Sequence, residues 1–275
     1  MASAVLTLCG SFVVGLVGAV LGIGGGTFLV PFLVLVGNLR PVEAVGISLF
    51  CVIGTSVGGA SGAIRSGRAN VGLALLLEPV LVGTSVGASL LAQRMNDALL
   101  LALFACMMIG IAALFLALWR RGPALTIAPP TGPPRPGDGV VEEPGHGLVA
   151  YRPRRLPLLV GLIGLSGTAS GLFGIGGGGL NVPILHVLGA VPLRAAAATS
   201  VLTMSVTGAA AGAVHLAHGS VSATLVGASL LGVVPGSLLG AQWQRRFPEQ
   251  HLRFAFAVLA ALVAVMTLYR ASRMP

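Results

Sequence analysis

The sequence predicts an all-α integral membrane protein built from two homologous repeats, and three observations lead there. Apolar stretches long enough to cross a bilayer recur along the chain. Only 8% of the residues are charged and 55% are hydrophobic, whereas an ordinary soluble domain carries roughly 25% charged residues. Finally, the chain matches itself at a single offset of 152 residues, the mark of an internal duplication.

The first repeat, 1–121, opens on the apolar stretch Ala4–Leu21. No Lys or Arg precedes Arg40, so this stretch lacks the charged leader of a signal peptide and reads as a retained helix. The cluster Gly22-Ile23-Gly24-Gly25-Gly26 follows, and then a short apolar piece, Thr27–Gly37. A piece of about 11 residues covers roughly 16 Å as a helix, half of a ~30 Å hydrocarbon core. Non-helical backbone at membrane depth is tolerated only where protein or a polar cavity surrounds it. The glycine cluster is therefore expected inside the protein, opening a half-helix. Three long stretches complete the repeat: Ala44–Ile64, Val71–Ala92 and Ala98–Trp119. Each is close to the ~20 residues a spanning helix needs.

Gly122–Arg155 is rich in Pro and Gly, carries Asp138, Glu142, Glu143 and several Arg, and shows no apolar periodicity. It reads as a flexible linker with no part in the chemistry. The second repeat, 156–275, restates the plan of the first: Leu156–Phe173, the cluster Gly174-Ile175-Gly176-Gly177-Gly178, the short piece Gly179–Val191, then Ala195–Ala217, Ser222–Ala241 and Phe254–Tyr269. At the same offset Gly15 pairs with Gly167, Pro31 with Pro183, Ser48 with Ser200, Thr55 with Thr207, Gly67 with Gly219 and Phe104 with Phe256. Small residues throughout these stretches let membrane helices approach closely.

The basic excess is sixteen Arg with no Lys, each at the end of an apolar stretch or in the linker. That is the distribution of topology signals, and it excludes a nucleic-acid groove. If each helix, glycine break and half-helix forms a re-entrant hairpin, each repeat crosses the membrane an odd number of times and the second is inverted. Twelve Arg then share the linker's side and four face the other, against ten and six for parallel repeats. The positive-inside bias favours inversion and places the linker in the cytoplasm of a bacterial-type inner membrane.

Consecutive glycines that lead into a helix N-terminus point to an anion site. The first N–H groups of a helix lack internal partners, the peptide dipoles leave partial positive charge there, and glycine lets a ligand approach. Two such termini make a cage of neutral donors, to which Thr27, Ser48, Gly179, Asn181, Thr199 and Ser200 add. Close helix packing is the competing explanation for the glycines.

At these residues the chain resembles the TauE/SafE family of sulfite exporters. Gly15, Gly18, Gly22 to Gly26, Val30, Pro31 and Leu33 carry the resemblance in the first copy. Gly167, Gly171, Gly174 to Gly178, Val182, Pro183 and Leu185 carry it in the second, with Ala198-Thr199-Ser200, His215 and Gly219 matching later elements. The resemblance covers nearly the whole chain apart from the linker. It implies secondary transport, by alternating access, of sulfite or a related small sulfur-containing anion. Gly46-Ile47-Ser48 stands where the second copy has Thr199-Ser200, so one half of the site is expected to bind less tightly.

Glu78, followed by Pro79, lies inside a predicted span, where a carboxyl is expensive and a candidate for proton coupling. Its repeat mate is Leu230, and bridging two helices is the plainer role. His186, in the second half-helix, is a second coupling candidate because imidazole is the usual side chain for proton exchange, or it makes a structural hydrogen bond. His215 and His218 read as helix-end residues. No cofactor, metal or catalytic residue is expected: Cys9, Cys51 and Cys106 are scattered singly, and no strand flanks Gly22–Gly26 as a dinucleotide loop requires. Without Lys there is no nucleotide-hydrolysing loop. Ser166 with His215 or His218 resembles the dyad of rhomboid proteases, an enzyme alternative that the repeat makes unnecessary. A passive anion channel would share every site residue, and the sequence assigns no oligomeric state.

Overall fold

In the computed structural model, residues 2–21, 26–121, 133, 135, 137–143, 147–244 and 249–273 are described. The first repeat contributes α1 (Ala2–Val20), α2 (Gly26–Leu35), α3 (Pro41–Arg65), α4 (Val71–Ala92) and α5 (Asp97–Arg121). The second contributes α6 (Leu156–Phe173), α7 (Gly178–Pro183, continued by a π turn over Ile184–Leu188), α8 (Leu193–Ala217), α9 (Ala223–Gln244) and α10 (Glu249–Ala271). Among the described residues seven helices are long and apolar enough to cross a membrane, while Val5–Val20, Gly26–Leu35 and Gly178–Leu188 are shorter apolar helices. Large apolar side chains such as Leu75, Leu165, Leu231 and Val265 face outward, as they do where lipid is the solvent. The protein is a multi-pass α-helical membrane protein.

The duplication is visible in backbone detail. Asn38 and its mate Ala190 both turn the chain with positive φ, 53° and 54°, after the two short helices. Gly67 and its mate Gly219 both have φ of 64° just past α3 and α8, the left-handed conformation that closes a helix and suits glycine. Each long helix pairs across the repeats. α1 runs parallel to α9: Gly232 meets Leu8, Gly236 meets Phe12 and Gly240 meets Leu16. Any side chain at Gly236 would strike the Phe12 carbonyl, so this glycine is there for close approach. The mate pair α4 and α6 repeats the arrangement, with Gly167 on Leu81 and Gly171 on Ser85. α3 and α8 run antiparallel, Gly46 lying against His215, Gly208 against Leu49 and Gly59 against Val201. α5 and α10 pack together outside, with Phe115 and Phe256 ring centroids 4.5 Å apart.

The segment between the repeats is not featureless. Two strands, β1 (Gly139–Glu143) and β2 (Gly147–Tyr151), pair antiparallel with Val141 opposite Val149 and Gly139 opposite Tyr151. Val141 and Tyr151 are buried and join Leu73, Leu77 and Ile163 in a small core, while Val140 and Leu148 face outward. Asn70, the N-cap of α4, ties the hairpin down: its Nδ2 donates to the Gly137 carbonyl at 2.7 Å and the Tyr151 hydroxyl at 3.1 Å. Arg152 pairs with Asp138 at 2.7 Å. These residues thus form a paired hairpin in a segment that the sequence reads only as a linker. The alternation of Val, Leu and Tyr between glycines is too short to register as periodic, and its stability comes from docking on α4.

Candidate functional site

Gly26, the last residue of the first glycine cluster, and the second glycine break come together in the interior through Ser48. Gly22, Ile23, Gly24 and Gly25 lie outside the described residues; Gly26 begins α2, buried. The second break is described throughout: Gly174, Gly176 and Gly177 have φ of 67°, 66° and 75°, the left-handed region that favours glycine. Ile175 between them is buried, and Gly178 and Gly179 open α7. Val52 of α3 separates the breaks, since a side chain on either Gly26 or Gly176 would run into it. The glycines therefore serve packing as well as any ligand.

Ser48 joins the two breaks. Its Oγ lies 3.0 Å from the Gly26 carbonyl and 2.7 Å from the Gly174 carbonyl, so the hydroxyl is occupied by backbone acceptors and does not stand open as a donor. Its mate Ser200 is also buried but has no partner. Thr27 Oγ1, Ser170 Oγ and Asn181 Oδ1, each on or beside a break, are likewise buried without a partner. Native interiors leave few buried polar atoms unsatisfied, because each costs free energy. Unpartnered groups around two glycine breaks are the expected signature of a polar ligand's place.

Other expected residues are placed differently. Thr199 accepts the Asn70 backbone N–H at 3.0 Å and holds the start of α4 to α8, so it serves the linker-side framework. Glu78 of α4 is half-buried and accepts the Thr207 hydroxyl of α8 at 2.9 Å. The mate hydroxyl, Thr55, instead bonds carbonyls of its own helix, Cys51 and Val52, because no carboxyl exists at Leu230. His186 Nδ1 lies 2.9 Å from the Val191 carbonyl, closing the turn after the π segment. At the far end of α8, Gln93 Nε2 sits 2.9 Å from His215 Nδ1 and Ser220 donates to Gln93 Oε1 at 3.1 Å. Gln93 and Ser220 have no individual signal in one sequence.

Ser166, set aside in the sequence as part of a resemblance to a dyad, points to the second break. Its Oγ is 3.4 Å from the Gly177 carbonyl, while His218 bonds the Val214 carbonyl and His215 bonds Gln93. Neither histidine is hydrogen-bonded to it. Among the described residues no three His, Cys, Asp or Glu side chains gather as a metal site would require.

Comparison with known proteins fits this architecture. A Bacillus subtilis (strain 168) protein named "Probable membrane transporter protein YunE" is 24% identical over 279 residues, covering 98% of each chain. No solved structure matches the chain. The family described as "Sulfite exporter TauE/SafE" matches residues 7–267. With that match spanning the linker and nearly all of both repeats, the chain belongs to the TauE/SafE family of membrane transporters, which are not enzymes.

Proposed function

We propose that this protein exports sulfite or a related small sulfur-containing anion across a bacterial-type inner membrane by alternating access. The anion sits where the two glycine breaks meet, held by glycine-cluster backbone N–H groups and by Thr27, Asn181 and Ser200. The observation that carries this reading is that Thr27 Oγ1 and Asn181 Oδ1, beside the breaks, and Ser200 Oγ of α8 are buried and unpartnered. No arginine is placed among them: each of the sixteen stands at the end of an apolar stretch or in the linker. A neutral cage binds a singly charged oxyanion without trapping it, whereas a buried Arg would hold it more tightly.

The antiparallel course of α3 and α8, which are repeat mates, supports inverted repeats. A rocking of one repeat against the other then exposes the site to each side in turn. Glu78, bonded to Thr207 across α4 and α8, is the proposed proton carrier, with His186 second. The linker lies in the cytoplasm.

Efflux from proteoliposomes loaded in turn with sulfite, sulfate, thiosulfate and a small sulfonate, with and without a proton gradient, tests the assignment. Sulfite should leave faster than sulfate, whose double charge is dearer to dehydrate, and the gradient should change the rate. Equal sulfate flux contradicts the neutral-cage reading, a gradient-independent rate makes the protein a passive channel, and no sulfur-anion flux removes the substrate assignment.

A further inference from the structure

Helices α4 and α8 are fastened to each other at three levels. At the linker end the Asn70 N–H donates to Thr199 Oγ1 at 3.0 Å, and further along the Thr207 hydroxyl donates to Glu78 at 2.9 Å. At the far end Gln93 Nε2 lies 2.9 Å from His215 Nδ1, and Ser220 donates to Gln93 Oε1 at 3.1 Å. Asn70, Thr199, Thr207 and His215 are buried. Asn70 also holds the hairpin through Gly137 and Tyr151, which reinforces the linker end.

The symmetry-related seam, α9 against α3, has none of these bonds. At the offset of 152 the three pairs become Ser222 with Ile47, Leu230 with Thr55, and Arg245 (outside the described residues) with Ala63. Ile47, Leu230 and Ala63 have no side-chain donor or acceptor. The hydroxyls of Thr55 and Ser56 on α3 and of Ser237 on α9 bond carbonyls of their own helices. The contacts across this seam are apolar: a methyl group on Gly54 would stand 2.5 Å from Leu230 Cδ2 and 3.2 Å from Val234 Cγ2. One on Gly46 would stand 2.6 Å from Val221 Cγ2, just before α9. The Cys51 thiol approaches Ser229 there, but a thiol is a weak donor, and Ser229 Oγ has no hydrogen-bond partner.

The two seams therefore differ in what separation costs. Parting α4 from α8 would strand buried donors and acceptors in an interior surrounded by lipid, where no water replaces the lost partners. Parting α3 from α9 breaks no such bond and loses only packing, since lipid solvates apolar side chains about as well as they solvate one another. We infer that α3 and α9 form the seam that opens when the repeats rock, and that α4 and α8 form the pivot, closed throughout the cycle. The inference rests on the proposed alternating access and adds which of two symmetry-related seams gives way. Identical repeats would leave the two seams equivalent, and the three replaced pairs remove that equivalence.

The test uses two cysteine pairs in the full-length protein lacking Cys9, Cys51 and Cys106, reconstituted in proteoliposomes. Gly54→Cys with Leu230→Cys ties α3 to α9, and Asn70→Cys with Thr199→Cys ties α4 to α8 in place of the native bond. Sulfite efflux is compared in each protein before and after disulfide formation, so effects of the substitutions themselves cancel. The α3–α9 disulfide should slow efflux at least about tenfold, reversibly with reductant, and the α4–α8 disulfide should leave it within about twofold. Full efflux through the α3–α9 disulfide, or equal block by both, overturns the inference. A second arm needs no substrate. Spin labels on exposed positions, Ile64→Cys with Leu231→Cys for α3–α9 and Leu75→Cys with Leu216→Cys for α4–α8, report distances in bilayer nanodiscs by pulsed electron resonance. The first pair should show two distance populations and the second one; any other pattern overturns the inference whether or not sulfite moves. That expected pattern in a protein that moves no sulfite removes the substrate assignment and keeps the seam.

Discussion

The hydroxyl of Ser48 lies 2.7 Å from the carbonyl oxygen of Gly174, 126 residues away, and 3.0 Å from that of Gly26. One side chain of the first repeat thereby clamps both glycine breaks. Its mate Ser200, equally buried, clamps nothing. Identical residues at symmetric positions are thus bonded in one repeat and unbonded in the other.

The contrast can be measured. Ser48→Ala removes the single hydroxyl proton that the buried Gly174 and Gly26 carbonyls share and should cost about 1–3 kcal/mol of stability, seen as a lower Tm in detergent. Ser200→Ala loses no bond, so its Tm should stay near wild type while anion affinity falls about tenfold. An equal Tm loss in both variants would make Ser200 structural as well.

Glu78→Gln keeps an acceptor for Thr207 and the shape of the carboxyl but cannot ionise. With Glu78 as the proton carrier, the variant should fold normally and move the anion at a rate that no longer responds to a proton gradient. Retention of wild-type gradient dependence in vesicles would make the Glu78–Thr207 bond a plain bridge between α4 and α8.

The linker hairpin should come loose at both extremes of pH. The Arg152 guanidinium holds the Asp138 carboxyl below its ordinary value, so this contribution is present above the unfolded value of about 4 and is lost as pH falls through the folded one. Burial pushes the Tyr151 phenol up, with the Asn70 bond opposing; that contribution is present below about 10 and is lost as pH rises through the raised value. Hydrogen exchange over Gly147–Tyr151 should be slowest between these limits. Asp138→Asn should remove the acid limb alone, and an acid limb that survives in that variant would locate the transition elsewhere.

Sidedness is open to cysteine labelling in intact cells, on a background lacking Cys9, Cys51 and Cys106. Gly137 is a poor probe, since it is buried with φ of 94°. Leu148, 78% exposed on the hairpin, and exposed Ser272 beyond α10 are better. Ser272→Cys should react with an impermeant reagent from outside and Leu148→Cys should not. Shielding of both would favour parallel repeats, and labelling of Leu148→Cys would move the linker out of the cytoplasm.

The sequence by itself determined the spans, the duplication and the two breaks. Helices α4 and α6 fall on the predicted Val71–Ala92 and Leu156–Phe173. Hydropathy and glycine content are local properties, and a bilayer converts them directly into helix lengths and interruptions. Only the tertiary structure decided which polar atoms are left over. Ser48 is tied to Gly174, Thr199 to Asn70 and Glu78 to Thr207, each across more than a hundred residues. The same holds for the hairpin, whose short strands hold their place because Tyr151 and Val141 dock against the start of α4. A hydrogen bond is settled by distance and direction between atoms that the chain brings together last, and no pattern within one segment specifies its partner.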